Sequence, residues 1–268
     1  TDSAVVRDAM ETQLAVKRNL DDGASVIKAY FRLPLALIEE VTRVAHARGI
    51  PVTAHLEIVD AGDAIRAGID GLEHVTSAGV ALLPPREGEA YRQVVLADNA
   101  ARSAGRYRVW SQLDLKSERA SSLLKLMVSR NVTLSPTLAV FERRNGDKDI
   151  TEMHVQGFRQ MVAFTGQAQR AGVRVAVGSH SSVPHAERGW AYQREMELLV
   201  EAGLTPLQAI QAGTLENAKF FRVENRLGSL EPGKQADLVL VEGDPSQDIV
   251  HMRRVKRVMI DGAWLASQ

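Results

Sequence analysis

A lysine and two histidines stand near the ends of three short apolar stretches: Lys28 in SVIKAY, His55 in PVTAHL and His74 in GLEHV. Neutral imidazole is a good ligand for divalent ions such as zinc or manganese, and a strand-end lysine can act as a Schiff-base nucleophile. Each stretch reads as a short strand, and a helix-like segment separates it from the next. In a barrel of alternating strands and helices, the carboxyl ends of the strands converge on one face, where the chemistry sits. Residues far apart in the chain would meet there. His180 ends a later strand-like stretch, RVAVGSH. Its unperturbed pKa near ~6.5 suits a general base, and His185, on the loop that follows, is a second proton carrier.

Taken singly, these residues have blander readings. Lys28 would be a solvated or salt-bridged strand-end lysine, and His55 a hydrogen-bonded core histidine. His46 and His154 fall within helix-like segments and His251 in the tail, so none of the three is given a chemical role. Glu73 neighbours His74 on a strand, so strict alternation sends it to the opposite face, and it reads as structural. Pro136 and Thr137, with Tyr30, are candidates to line a substrate pocket. Trp110, Phe141, Trp190 and Tyr192 suit either pocket walls or core.

The chain has 268 residues, 45% apolar and 25% charged, with 33 acidic and 33 basic side chains. That is the profile of a globular protein with one large domain and room for a small appendage. A formal net charge of zero supplies no global field for nucleic acid or an anionic membrane. The basic run MRRVKRV reads as an exposed strand edge, where charge discourages pairing. Absence of cysteine excludes disulfides, thiolate metal sites and a cysteine nucleophile, and leaves the compartment open between cytoplasm and export. No apolar run is long enough to span a bilayer, and the N-terminal stretch lacks a signal-peptide pattern. It reads as an amphipathic helix entered midway.

The elements that must position the candidate residues alternate along the chain, which argues for a parallel sheet covered by helices. Leu37, Ile38, Val41, Val44 and Ala45 share one helical face, with Gly49 as a stop. Asp60 opens a short helix ended by Gly68. Residues 79–120 break the rhythm and suggest a loop or helical excursion over the barrel mouth. Thr205, Pro206 and Gln208 form a capping-box start. Strands are expected at 25–30, 51–56, 71–75, 131–140 and 174–180, followed by a small β unit with Gly-Lys and Asp-Gly turns, in which Asp237 caps or pins the return. Five strands leave open edges and an open core, so strands preceding residue 1 are expected.

Over nearly its whole length the chain resembles the metal-dependent amidohydrolase superfamily, particularly its imidazolonepropionase-like and prolidase-like branch. VIKAY, VTAHL, AGIDGLEHV, LSPTL, VAVGSH and LGSLEPGKQADLVLVEGDPSQDI carry the likeness. The resemblance implies an α/β fold, a (β/α)8 TIM-type barrel that is incomplete here, occupying residues 1–225. Residues 226–268 would supply the C-terminal part of a composite β-sandwich. It implies that Lys28 is carboxylated and bridges two metals, that His55 and His74 are ligands, and that the divalent ion is zinc, one or two per site. The family's first-strand His-x-His is absent from this chain, so the resemblance implies an N-terminal portion as partner, on a cleaved segment or a separate chain, and possible homo-oligomers. Where the family usually places an aspartate, GSHS places His180, either as ligand or as base but not both at once. The implied activity is hydrolysis of an amide-type C–N bond in a cyclic amide or dipeptide-like small molecule. Two other readings are a metal-independent lyase using Lys28 and a non-catalytic barrel that has lost its base.

Overall fold

The computed structural model describes residues 4–266. In chain order its elements begin with α1 (Ala9–Asp21), β1 (Ile27–Ala29), α2 (Leu35–His46), β2 (Val52–Ala54), α3 (Ala61–Arg66) and β3 (Gly71–Glu73). Next come α4 (Gly79–Leu82), α5 (Pro85–Ala97), α6 (Ala101–Gln112), α7 (Glu118–Ser129), β4 (Thr133–Ser135), α8 (Leu138–Phe141), α9 (Glu152–Arg170) and β5 (Arg174–Val175). The chain then runs through α10 (Ala191–Glu201), α11 (Pro206–Gly213), α12 (Leu215–Phe220), β6 (Leu238–Val241), β7 (Val255–Ile260) and β8 (Ala263–Trp264).

Strands β1 to β5 form one parallel sheet in sequential order. Its register aligns Lys28 with Thr53, Thr53 with Gly71, Gly71 with Thr133 and Thr133 with Arg174. Because side chains alternate across a strand, Ile27, Val52, Ala54, Leu72, Leu134 and Val175 all fall on the other face. These residues are buried in the core shared with the helices. Parallel strands covered on both faces read as continuous apolar runs. Here the second face carries Lys28, Thr53, Gly71, Glu73, Thr133 and Ser135, and all six line one cavity. At Gly71 a Cβ would stand 2.8 Å from the Phe220 ring of α12, which therefore needs glycine to approach the sheet.

The helices end and begin where local chemistry directs. The Asp60 carboxylate accepts from the Gly62 and Asp63 amides at 2.7 and 3.3 Å, capping α3. Thr205 and Gln208 form the expected capping box with Pro206 in the first turn. Leu37, Ile38, Val41, Val44 and Ala45 of α2 are buried as the periodicity predicts. Residues 79–120 are mostly helical, with α4, α5, α6 and the start of α7 joined by short connections, and α6 packs along α9.

Two expectations need correction. The strand anticipated over 131–140 stops at Ser135, because Thr137 turns left-handed (φ 51°, ψ 44°) and the chain winds into α8. The strand anticipated over 174–180 pairs as a strand only at Arg174–Val175, although the Ala176 amide still donates to the Leu134 carbonyl at 2.9 Å. The basic run does lie at an open edge: β7 is the middle strand of the antiparallel sheet β6-β7-β8, but β8 pairs only with Met259 and Ile260, so Val255, Lys256 and Arg257 are paired on one side alone and exposed. Two of its charges are also matched, Lys256 by Glu242 at 2.7 Å and Arg257 by the Trp264 ring face at 4.2 Å. The Asp261–Gly262 turn between β7 and β8 has positive φ at both residues, 50° and 78°, as a tight hairpin requires. Asp237 pins that turn by accepting from the Asp261 amide at 2.7 Å.

Candidate active site

His55 lies just beyond β2, and its amide donates to the Ala29 carbonyl at 3.0 Å, so the parallel ladder persists past the last regular strand residue. His74 follows β3, held by its amide to the Ser135 carbonyl at 2.9 Å. The two rings are buried and meet edge to face, 4.6 Å between centroids. The exposed His180 ring stands 5.4 Å from that of His74. Lys28 lines the same cavity of about 360 Å³ as His74, Thr137 and His180. Sequence reasoning placed these residues at the ends of neighbouring strands; the fold brings Lys28, His74 and His180 to one cavity, whereas His55 packs against His74 and is not among the residues lining it.

The other expected residues sit in different places. Tyr30 is half-exposed and packs edge-on against His55, 5.3 Å between centroids. Thr137 lines the cavity, and its Oγ1 shares a 2.6 Å hydrogen bond with His74 Nδ1. Pro136 is buried, and its carbonyl accepts from the Val75 amide at 2.9 Å. His185 faces Asp147 at 2.9 Å and is not among the cavity-lining residues. Trp110 is core, packed on Phe164 at 5.5 Å.

Glu73 corrects the alternation argument. It shares the cavity face with Gly71 by ordinary alternation, and His74 joins it there because φ at His74 is 65° and the backbone breaks step. Glu57 was overlooked, yet it lies two residues beyond His55, the spacing that keeps strand side chains on one face. Its buried carboxylate accepts from the Tyr91 hydroxyl at 2.9 Å, pairs with Arg106 at 3.3 Å, and stands 3.4 Å from His55 Nε2. Tyr91 and Arg106 come from α5 and α6, so the 79–120 excursion does reach the site. Arg102 on α6 lays its guanidinium 4.2 Å above the Phe31 ring, and one of its Nη atoms is buried without a partner.

Electrostatics keep the imidazoles neutral. Burial pushes His74 down to about 2, with His55, Lys28 and His180 adding to the effect. Burial also lowers His55, against the pull of Glu57, and lowers His180, with Lys28 contributing. The sign of the consequence is fixed. An unfolded chain takes up imidazole protons near ~6.5, and the folded chain refuses them, so the unfolded state binds more protons below that value. Stability therefore falls as pH drops through ~6.5, by up to about 1.4 kcal/mol per pH unit for one buried histidine. Urea unfolding of the metal-free protein between pH 7 and pH 5 should show this slope, and His74→Asn should flatten it. Equal slopes in both proteins would remove His74 as a source.

His55 Nδ1 is buried and has no hydrogen-bond partner, whereas His74 Nδ1 is engaged by Thr137. A buried unpaired nitrogen beside a second imidazole is the donor chemistry a divalent cation uses. Among the described residues no three His, Cys, Asp or Glu side chains come together as a metal-holding group. The residues present thus fit part of a donor set, two imidazoles with Lys28 beside them.

A parallel (β/α) sheet of barrel type, with histidines at adjacent strand ends above a polar interior, places the chain among α/β barrel proteins. The chain belongs to the amidohydrolase family, which it matches over residues 9–265. It is 40% identical over 67 residues to an adenine deaminase of Clostridium botulinum (strain Loch Maree / Type A3), a match covering 25% of this chain and 10% of that protein. It superposes on a Xaa-Pro dipeptidase with a TM-score of 0.71 and 24% identity, covering 98% of this chain and 60% of the other. A putative prolidase from Bifidobacterium longum gives a TM-score of 0.68 and 23% identity, covering 98% and 61%. The chain therefore spans about three-fifths of these solved structures and about a tenth of the curated relative. Among the described residues no helix is long and apolar enough to cross a membrane.

Proposed function

We propose that this chain carries the C-terminal half of the active site of a metal-dependent hydrolase that cleaves an amide-type C–N bond in a small, dipeptide-like molecule. The observation that carries the reading is the buried, unpartnered His55 Nδ1 beside a neutral His74. Family membership and the adenine deaminase and prolidase-like relatives support hydrolysis at a C–N bond, and the family generally uses a divalent metal. Zinc fits the imidazole donors best.

His55 Nδ1 and His74 Nε2 present the lone pairs, the latter in the tautomer whose Nδ1–H donates to Thr137 Oγ1. Lys28, carboxylated, supplies an anionic oxygen from β1. A bound divalent ion would lower the pKa of water toward ~7 and polarise the scissile carbonyl. His180 stays unprotonated at neutral pH and takes the proton released from the attacking water. Glu57 turns and holds the His55 ring, and Tyr91 and Arg106 hold Glu57 in turn. The polar face of β1 to β4 is completed by an N-terminal portion that supplies the remaining strands and ligands, and the β6-β7-β8 sheet by its partner strands in a composite sandwich.

The guanidiniums of Arg102 and Arg106 outnumber the one carboxylate between them, Glu57, and Arg102 retains a free buried N–H. This excess favours a substrate with its own carboxylate near the Phe31 and Phe141 rings. The test is steady-state hydrolysis of a panel of dipeptides by the zinc-loaded assembly, each with its C-terminal amide as control. Free-acid dipeptides should turn over and chelation should stop them. Arg102→Met should raise KM roughly tenfold for the acids at little cost in kcat. Equal KM for acids and amides would remove the carboxylate assignment. A zinc-loaded assembly with no C–N hydrolysis across the panel would remove the hydrolase itself.

A further inference from the structure

Two residues of the site hold strained backbone. His74 has φ 65° and Thr137 has φ 51° with ψ 44°. A β-branched residue in the left-handed region is an outlier. Such a conformation costs about 1–3 kcal/mol and persists only where the surroundings over-determine it. The Thr137 hydroxyl lies 2.6 Å from His74 Nδ1, so whatever sets the Thr137 backbone also sets the histidine.

Glu195 on α10 is placed to do this. Its side chain is fully buried, with one carboxylate oxygen accepting from the Leu138 amide at 2.8 Å and the other from the Ala139 amide at 2.7 Å. Those are the two peptide groups directly after Thr137, so the carboxylate grips the turn at two points. The neighbouring Arg194 gives Glu195 no ion pair, since it turns to Glu142, Glu197 and Glu201. Burying a carboxylate without a counter-ion is unfavourable, and burial lifts Glu195 to about 8 despite both amides. An apolar residue would serve a helix–helix contact better at this position. The polar one makes sense if the turn it holds matters.

We propose that Glu195 is a positioning residue for His74: by clamping the Leu138 and Ala139 amides it keeps Thr137 left-handed, and Thr137 then fixes the tautomer and tilt of the His74 ring. His74 Nδ1–H donates to Thr137 Oγ1, and Nε2 is left facing the cavity as a lone pair. The consequence for metal rests on the ligand reading of His74 given above, whereas the consequence for the ring does not.

The experiment has two arms on the same four proteins: wild type, Thr137→Val, Glu195→Gln and the double variant. In the metal-free proteins at neutral pH, imidazole 15N shifts report the tautomer. Wild-type His74 should show a single form protonated at Nδ1, and both single variants should show mixed tautomers, although Glu195 does not touch the ring. In the second arm, zinc affinity is measured by competition with a chelator. Each single variant should bind roughly 10- to 100-fold more weakly, the range for loss of an outer-shell partner. The double variant should lose no more than the weaker single, because both act along one chain of contacts.

A Glu195→Gln protein that melts earlier yet keeps the His74 tautomer and zinc affinity would overturn the proposal, since Glu195 would then be structural only. Losses that multiply in the double variant would overturn it as well. Should Glu195→Gln fail to fold, Glu195→Asp, which keeps the carboxyl group and shortens its reach, takes its place with the same outcomes. If the wild type binds no zinc while both variants still release the His74 tautomer, the clamp stands and the ligand reading falls.

Discussion

Replacing His55 by alanine should remove bound zinc and, with it, turnover by about a thousandfold or more, equivalent to about 4 kcal/mol of transition-state stabilisation. Three observations make this effect large. The ring is buried, so no solvent-exposed side chain can swing in to replace it. Its Nδ1 has no partner in the fold, so it makes no hydrogen bond whose loss would dominate the result. Among the described residues no three His, Cys, Asp or Glu side chains form a metal-holding group that would keep the ion without His55. Elemental analysis of the purified variant, read beside its circular dichroism, separates loss of metal from loss of fold. His185→Ala is the matched control, because His185 is paired with Asp147; it should keep its zinc. Full zinc content and full activity in His55→Ala would end the ligand assignment.

Much of this site was legible because it obeys strand periodicity. His55 could be placed since VTA alternates cleanly, and Lys28 and Thr53 then fall on one face in register. The same rule failed between Glu73 and His74 because His74 leaves the extended region, and no residue type announces that a histidine will adopt positive φ. The 131–140 stretch failed for a related reason. Its composition, NVTLSPTLAV, is strand-like to the end, yet tertiary contacts from Glu195, more than fifty residues away in sequence, stabilise a turn after Ser135. Local propensity cannot report a hydrogen bond from a distant helix. The basic run in β7 was legible. Charge on a strand suggests an edge, and β8 is too short to reach Lys256 and Arg257, which are paired on the β6 side alone.

The helix that carries Glu195 is itself placed by a close backbone contact, which leads to the second large effect. Gly166→Ala should destabilise the protein by about 3 kcal/mol or more and lower its melting temperature by roughly 6–12 °C. In an exposed helix the same change would stabilise by up to about 1 kcal/mol, since alanine is the better helix former. Here a Cβ on Gly166 of α9 would lie 1.9 Å from the carbonyl oxygen of Ala202, at the end of α10. That atom is backbone and cannot rotate away, so the two helices must separate. Gly146→Ala is the contrast: its φ is 94° and nothing lies within 4 Å of a new Cβ, so only left-handed strain of about 1–2 kcal/mol applies. Because α10 moves with Ala202, the Glu195 carboxylate should be drawn off the Leu138 and Ala139 amides. Gly166→Ala should therefore weaken zinc binding as well, although the substitution lies on a different helix from any ligand. Thermal melts and chelator competition on the two glycine variants check both parts. A Gly166→Ala protein as stable as wild type would mean that α9 and α10 do not approach as closely as this packing requires.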